Sequence, residues 1–472
     1  MQRPSPSLPL STLGLLMALG LPACGDDSTN NDDGAATEGA ATTTGDTDSV
    51  VDDTGTSGGS TAAITYWDDV APVLYQRCTG CHQDGSIGPF NLQTYEDAQT
   101  WGAAMVAAME ARTMPPWLVT DDGSCGEFRD SRWMPDEEIA LISAWVDDGA
   151  PEGEPRDDLE LPSFPALDNP TTFETPNFTP EIQGGELAEF DEYRCFLVDP
   201  DLPGDRFMTG YDVLPGNEAI VHHVLVMPVD PDLQVNGTQT NAEVMQALDD
   251  ESPDRAGWPC FGAAGDGVDN RGIPVSWAPG QGVVSYPEGT GLRIAQNEQL
   301  VVQVHYNLVD PATHGQSDQS QIQLRLEESV EREGIMLLPD PFLDSIFGDD
   351  PITLPPGEES VEYTWEVPAL LVLAELGIPQ IELHGVFPHM HEFGTAMRLD
   401  INGADDSECA AEVTDWDFGW QLQYFYEEPR VLTASDSLQV TCEFNTMSAT
   451  EPVTPGWGTN NEMCLMGVYL VP

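Results

Sequence analysis

At 472 residues the chain has room for about three ordinary domains, and a hydrophobic content of 40% is enough to build their cores. Fifteen basic residues against 82 acidic ones give a formal net charge of -67, so nucleic acid and anionic lipid head groups are repelled and excluded as charge-driven partners. Every basic residue is Arg, and the acidic excess reads as surface solvation.

The first stretch has the layout of an export signal. Arg3 precedes an apolar run from Leu8 to Leu21 that is too short to span a membrane. Leu21-Pro22-Ala23-Cys24 resembles a bacterial lipobox, which makes 1–23 a lipoprotein signal peptide and Cys24 the lipid-bearing residue. Plain cleavage near Ala23 is the alternative. The expected location is therefore outside the cytoplasm, periplasmic or on a bacterial cell surface, with membrane contact only through Cys24. Residues 24–62 are Asp, Thr, Gly, Ser and Asn with few large apolar side chains. They read as a disordered acidic tether.

Residues 63–152 carry helical periodicity: Trp67 to Arg77, then Tyr95 to Arg112, then a run opened by Pro135 and continued by Ile139, Ile142, Trp145 and Val146. Between the first two lies Cys78-Thr79-Gly80-Cys81-His82. Two thiols and an imidazole in one loop are what covalent attachment and axial ligation of a c-type haem require. A redox CxxC is the alternative, but it gives His82 no task. Met114, in Met-Pro-Pro-Trp, is the expected sixth ligand, because a thioether raises haem potential; a packing role is its alternative. Val70 to Leu74, Gly88-Pro89-Phe90, Tyr95 to Ala98 and Met114 to Trp117 together resemble the small cytochrome c domains attached to bacterial periplasmic oxidoreductases. In those domains the Met of Met-Pro-Pro-Trp is the axial ligand.

Residues 153–180 are rich in Pro and acidic side chains and read as a linker. From Glu181 on, short apolar runs recur between Pro, Gly and Asp turns: Ala219–Met227, Gly282–Ile294, Leu300–Leu308, Gln321–Leu326, Val361–Val367, Ile381–Phe387, Ala396–Ile401, Ser437–Phe444 and Cys464–Val471. These are expected strands, enough for two β-sandwiches, 181–330 and 331–472, with a break near Glu327 to Gly334.

Five of the eight histidines fall in this half as His222-His223, His305 and His389-Met390-His391. Strand side chains alternate, so His389 and His391 point the same way and can chelate one ion, with Met463 from a distant strand completing the set. His222 and His223 are adjacent and would splay on a regular strand. A bulge, or use of the nearer ring nitrogen, brings both to one ion with His305. Imidazole suits copper and thioether favours Cu(I), so the expectation is two copper ions. His314 and His384 are read as non-ligands, His384 as an outer partner of the nearby pair. Nine cysteines less Cys24, Cys78 and Cys81 leave Cys125, Cys195, Cys260, Cys409, Cys442 and Cys464 for disulfides.

His222-His223, Gln303-Val304-His305-Tyr306, Leu354 to Glu358, His389-Met390-His391 and Glu462-Met463-Cys464 resemble the copper type II, ascorbate-dependent monooxygenases, the peptidylglycine α-hydroxylating and dopamine β-monooxygenase family, from about Tyr193 to the end. The resemblance implies two jelly-roll-like sandwiches facing each other across a solvent-filled cleft, an electron-transfer copper on His222, His223 and His305, and an oxygen-side copper on His389, His391 and Met463. It implies hydroxylation of a substrate C–H bond with O2, a Cys442–Cys464 disulfide, and an outer role for Gln303. The pairing among Cys125, Cys195, Cys260 and Cys409 stays open among three connectivities. Where the peptide hydroxylase has an Arg that holds a carboxylate, this chain has Phe387. Leu465 and Gly467 replace its Asn and Tyr. A small, more apolar substrate is expected in place of a peptide.

The full expectation is a small all-α cytochrome c-like domain followed by two all-β jelly-roll-like sandwiches. Its reading is an exported copper monooxygenase with one covalent haem, supplied with electrons by ascorbate or a redox protein. A copper-holding or electron-transfer lipoprotein without turnover is the alternative.

Overall fold

The computed structural model describes residues 63–472 except 87, 163–165, 183–190, 261–262, 348–350, 405 and 457–459. The signal peptide, Cys24 and the tether lie outside the described residues. Among the described residues no helix is long and apolar enough to cross a membrane.

Three helices come first: α1 (Ala71–Arg77), preceded by a π-helical turn Tyr66–Val70, α2 (Tyr95–Glu110) and α3 (Asp136–Asp147). Thr94 opens α2 with a capping box, its hydroxyl accepting from Asp97 N while the Asp97 carboxylate accepts from Thr94 N. Their apolar faces meet over Tyr66, Leu74, Ile142 and Trp145, all fully buried. The helical region does not close on itself at residue 152. Between α2 and α3, Trp117, Leu118, Val119 and Phe128 leave the helices and pack in the core of the C-terminal sandwich. Val119 bridges Val413, and Thr120 N donates to Glu412 O at 2.8 Å. A Cys125–Cys409 disulfide fastens the same segment.

The rest is mostly β-structure, with helices α4 (Asn241–Asp250), α5 (Pro341–Asp344) and α6 (Ala369–Leu376) between strands. The strands are β1 (Thr171–Glu174), β2 (Asp191–Val198), β3 (Arg206–Leu214), β4 (Val221–Val229), β5 (Trp258–Pro259), β6 (Val275–Trp277), β7 (Val284–Ser285), β8 (Thr290–Ile294) and β9 (Gln299–Asn307). They continue as β10 (Gln321–Glu327), β11 (Arg332–Leu337), β12 (Val361–Pro368), β13 (Gln380–His389), β14 (Gly394–Asn402), β15 (Ser407–Val413), β16 (Tyr424–Thr433), β17 (Ser437–Phe444) and β18 (Leu465–Val471). A sheet in the order β5-β2-β9-β4-β6 faces one half of a nine-stranded sheet, β1-β10-β3-β8-β11-β18-β13-β16 with β7 on β3, and the sheet β12-β17-β14-β15 faces the other half.

Three sequence expectations change. The run Gly282–Ile294 is two strands, because Gly289 (φ +74) and a Thr290 N to Pro287 O bond of 3.0 Å turn the chain between them. The expected break between sandwiches is itself β11, paired parallel to β8 and antiparallel to β18, so one sheet runs through both halves. The linker 153–180 ends in structure: β1 pairs with β10, and Phe178 is buried against Phe196 and Tyr306. The remaining pairings of the disulfide set are Cys195–Cys260 and Cys442–Cys464, and Cys78 and Cys81 are free thiols.

Candidate metal centres

His222 and His223 lie on β4, and His305 lies opposite His223 on β9. The register slips between Val221 and His223. That bulge inserts one residue, so two consecutive imidazoles turn to the same side of the sheet. His222 Nδ1 is 3.4 Å from His223 Nδ1, and His305 Nδ1 is 3.1 Å from the same atom. Nitrogens held about 2.0–2.1 Å from one ion stand roughly 3.3–3.5 Å apart, so two of the three pairs are near the spacing of a tris-imidazole metal set, and all three ligand atoms lie within 4.8 Å of one another. Burial holds His223 and His305 well below the usual imidazole pKa and lowers His222 as well. Neutral rings present the lone pairs that a metal needs. Behind the cluster, His305 Nε2 lies 3.3 Å from Asp191 Oδ1, off the line of a hydrogen bond, and Tyr193 stacks on the His305 ring at 4.0 Å.

His389 ends β13 and His391 follows two residues later, with ring centroids 5.1 Å apart. His389 pairs with Leu465 of β18 in antiparallel register. Extending that register by two residues sets buried Met463 opposite His391. One carboxylate holds both segments: Glu462 accepts from His391 N at 2.9 Å and Met463 N at 3.1 Å through Oε2, and from Phe393 N at 2.7 Å through Oε1. Burial pushes Glu462 up to about 8, against the opposite pull of those backbone donors. The Cys442–Cys464 disulfide anchors the residue after Met463. His391 Nδ1 donates to Asn461 O at 3.0 Å, which leaves the lone pair on Nε2. His389 is held neutral, its pKa driven to about 3 by burial, and its Nδ1 is a buried polar atom without a hydrogen-bond partner. An orphaned imidazole nitrogen beside a second imidazole, on a segment whose register faces that of Met463, fits a soft metal.

The space between the two clusters is not simply open to solvent. The Phe418 ring lies 5.8 Å from His222 and 5.7 Å from His391. Phe387, which stands where a carboxylate-holding Arg was considered, stacks toward His389 at 6.2 Å. Gln303 turns away from the histidines, donating to Ala263 O at 2.9 Å. His384 pairs with Glu382 at 2.8 Å, and His314 bonds Leu308 O at 3.0 Å.

In the helical region, Cys78, Cys81 and His82 share one turn, closed by His82 N to Cys78 O at 2.9 Å. His82 Nδ1 donates to Phe90 O at 3.0 Å, so the ring offers Nε2 as its ligand atom. Gly88 permits this packing: a Cβ there would lie 2.5 Å from Cys81 O and 2.8 Å from His82 Nδ1. Phe90 in turn stacks on Trp101 at 4.1 Å. Two free thiols and an oriented imidazole fit a covalent haem. Met114 sits half-buried beyond the end of α2.

Sequence reasoning did not find Asp191 or Phe418. Glu462 stands in a motif singled out for Met463, but its clamp on His391 was not foreseen.

Residues 345–471 match the family model described as copper type II ascorbate-dependent monooxygenase, C-terminal domain. A tyramine beta-hydroxylase of Caenorhabditis briggsae is 23% identical over 367 residues, covering 73% of this chain and 55% of that protein. A dopamine beta-hydroxylase of Canis lupus familiaris is 22% identical over 290 residues, covering 59% and 43% respectively. The chain thus spans about half the length of these curated relatives. Among solved structures, PNGF-II is 9% identical over 64% of this chain and 65% of that chain, with a TM-score of 0.24, too low to carry any argument.

Proposed function

From the match of residues 345–471 to the copper type II ascorbate-dependent monooxygenase C-terminal domain, we propose that this protein is an exported copper-dependent monooxygenase. It hydroxylates a C–H bond of a small organic molecule. The balance is RH + O2 + two electrons + two protons giving ROH and water. The observation that carries the reading is the pairing of a preformed three-imidazole cluster with a second cluster in which Glu462 fastens the His391 and Met463 segments together.

His222, His223 and His305 would hold one copper, and His389, His391 and Met463 the other. Bound there, copper supplies the stored electrons and the activation of dioxygen. The chain's own contribution is positional. Asp191 and Tyr193 back the His305 ring, Asn461 fixes the His391 tautomer, and Glu462 keeps the second set in register. Phe387 beside His389 gives the second cluster an apolar wall and no charged clamp, which favours a neutral or apolar substrate over a carboxylate. Cys78, Cys81, His82 and Met114 would hold a c-type haem that passes electrons to the His222/His223/His305 copper, in place of or beside an external reductant such as ascorbate or a redox protein. Cys24 would carry the lipid anchor of a periplasmic or surface protein.

The test is metal analysis followed by oxygen uptake. Two coppers and one haem per chain are expected, with oxygen consumption that depends on an added small organic substrate and places one atom of labelled O2 in the product. Two bound coppers with no uptake over a broad substrate screen would instead assign the protein to copper storage or electron transfer.

A further inference from the structure

The segment between β15 and β16 contains Asp-Trp-Asp-Phe-Gly-Trp-Gln, residues 415–421, and touches everything that matters in the site. Trp416 Nε1 donates to His391 O at 3.0 Å, and Trp416 N donates to Thr395 O at 2.9 Å, tying the loop to the C-terminal sandwich. Gln421 Nε2 donates to Phe418 O at 2.9 Å, which closes the loop on itself. On the other side, Trp420 packs against Gly280 between β6 and β7 of the N-terminal half, so closely that a Cβ on Gly280 would lie 2.8 Å from its Cζ3. Gly280 has φ +87, a conformation that itself favours glycine. Asp417 O accepts from Trp420 N at 3.0 Å and its carboxylate accepts from Gly419 N at 2.8 Å, which makes the tip a tight turn. Phe418 is at that tip, and its ring stands between His222 and His391.

We propose that Phe418 is an aromatic spacer that sets the separation of the two histidine clusters. This rests on the reading that both clusters bind copper. The argument is one of packing. A rigid ring in contact range of an imidazole from each cluster fixes their distance from both sides. The backbone that carries it is fastened to one sandwich by Trp416 and pressed on the other by Trp420, so the ring cannot retreat without breaking those contacts. Interiors transmit such constraints because they are close-packed. Phe418 is a positioning residue in this account. It holds no metal and has no proton to give.

The experiment is a pulsed dipolar EPR measurement of the Cu(II)–Cu(II) distance in the full chain, with Phe418→Ala, Phe418→Leu and Phe418→Trp compared with the parent. Copper stoichiometry is measured on each. The parent should bind two coppers and give one narrow distance. Phe418→Ala should keep both coppers and broaden the distribution, with new population at shorter distances where the ring stood. Phe418→Leu should do so to a smaller extent, which guards against a poorly folded alanine variant, and Phe418→Trp should restore a narrow distribution. Superimposable distributions in parent, alanine and leucine variants overturn the spacer. A parent that binds fewer than two coppers overturns the copper reading itself, and is seen in the metal analysis before any variant is made.

Discussion

Two carboxylates do different work beside the histidines. Asp191 lies against the far edge of the His305 ring and is itself held by Asn307 Nδ2 at 2.8 Å. Glu462 fixes the backbone of His391 and Met463. Loss of outer partners of this kind typically costs about 10–100-fold in metal affinity. Glu462→Ala is therefore expected to weaken copper binding at the His389/His391/Met463 set by roughly that factor, while the His222/His223/His305 set keeps its ion, as read by competition with a cuprous chelator. Equal loss at both sets would show that the substitution unfolds the domain. Away from the site, Asp212 on β3 is pushed up from 3.8 to about 6 by burial. A raised folded-state pKa means that the folded protein binds the proton more tightly than the unfolded chain. Its contribution is present below about 3.8 and is lost as pH rises through about 6. Asp212→Asn removes that titration, so the fall of the thermal midpoint between pH 4 and 6 should be shallower in the variant than in the parent.

At the scale of elements, the pin beside Met463 is the Cys442–Cys464 disulfide joining β17 to the start of β18. Replacing both cysteines by Ala should cost about 2–4 kcal/mol of stability, measured by denaturant unfolding, and should loosen copper at the Met463 set before the three-imidazole set. The strands that carry the ligands were legible because their apolar residues recur in short runs bounded by turn residues. β2 was not, because its alternation is broken by Glu192 and Arg194, which are nevertheless buried. Glu192 pairs with Arg255 at 2.6 Å, and Arg194 donates to Ala256 O at 2.8 Å. Charge that is satisfied only by the tertiary fold looks like loop in the sequence. β16 hides for another reason: exposed Glu427 and Glu428 followed by Pro429 interrupt its apolar run and read as a turn. The grouping of His222, His223 and His305 followed from residue type, and of the two ways of bringing adjacent imidazoles together, a bulge or use of the nearer ring nitrogen, the strand has the bulge. Phe418 had no local signal, since its neighbours His222 and His391 come from other strands and its loop lacks strand or helix periodicity.

At the scale of the whole molecule, the segment between α2 and α3 is built into the β-structure of both halves. Val119 joins Val413, Trp117 packs edge-on to Tyr424 at 4.8 Å, Arg132 donates to Gly280 O and Gln281 O at 2.6 and 2.9 Å, and Cys125 is bonded to Cys409. The segment that follows Met114 thus reaches Gly280, the residue against which Trp420 rests. Under the proposal that a haem on Cys78, Cys81 and His82 supplies electrons, these contacts distinguish the arrangement from a domain on a flexible linker, whose encounters depend on linker length. If electrons enter through a haem on Cys78, Cys81 and His82, dithionite-reduced haem in the copper-loaded protein should reoxidise when substrate and O2 are added, and the rate should not change with protein concentration. Copper-free protein should reoxidise far more slowly. Equal rates with and without copper would mean that the haem meets oxygen directly and feeds nothing. A rate that climbs with concentration would mean that electrons pass between molecules, and the built-in geometry of residues 117–133 would then serve stability alone.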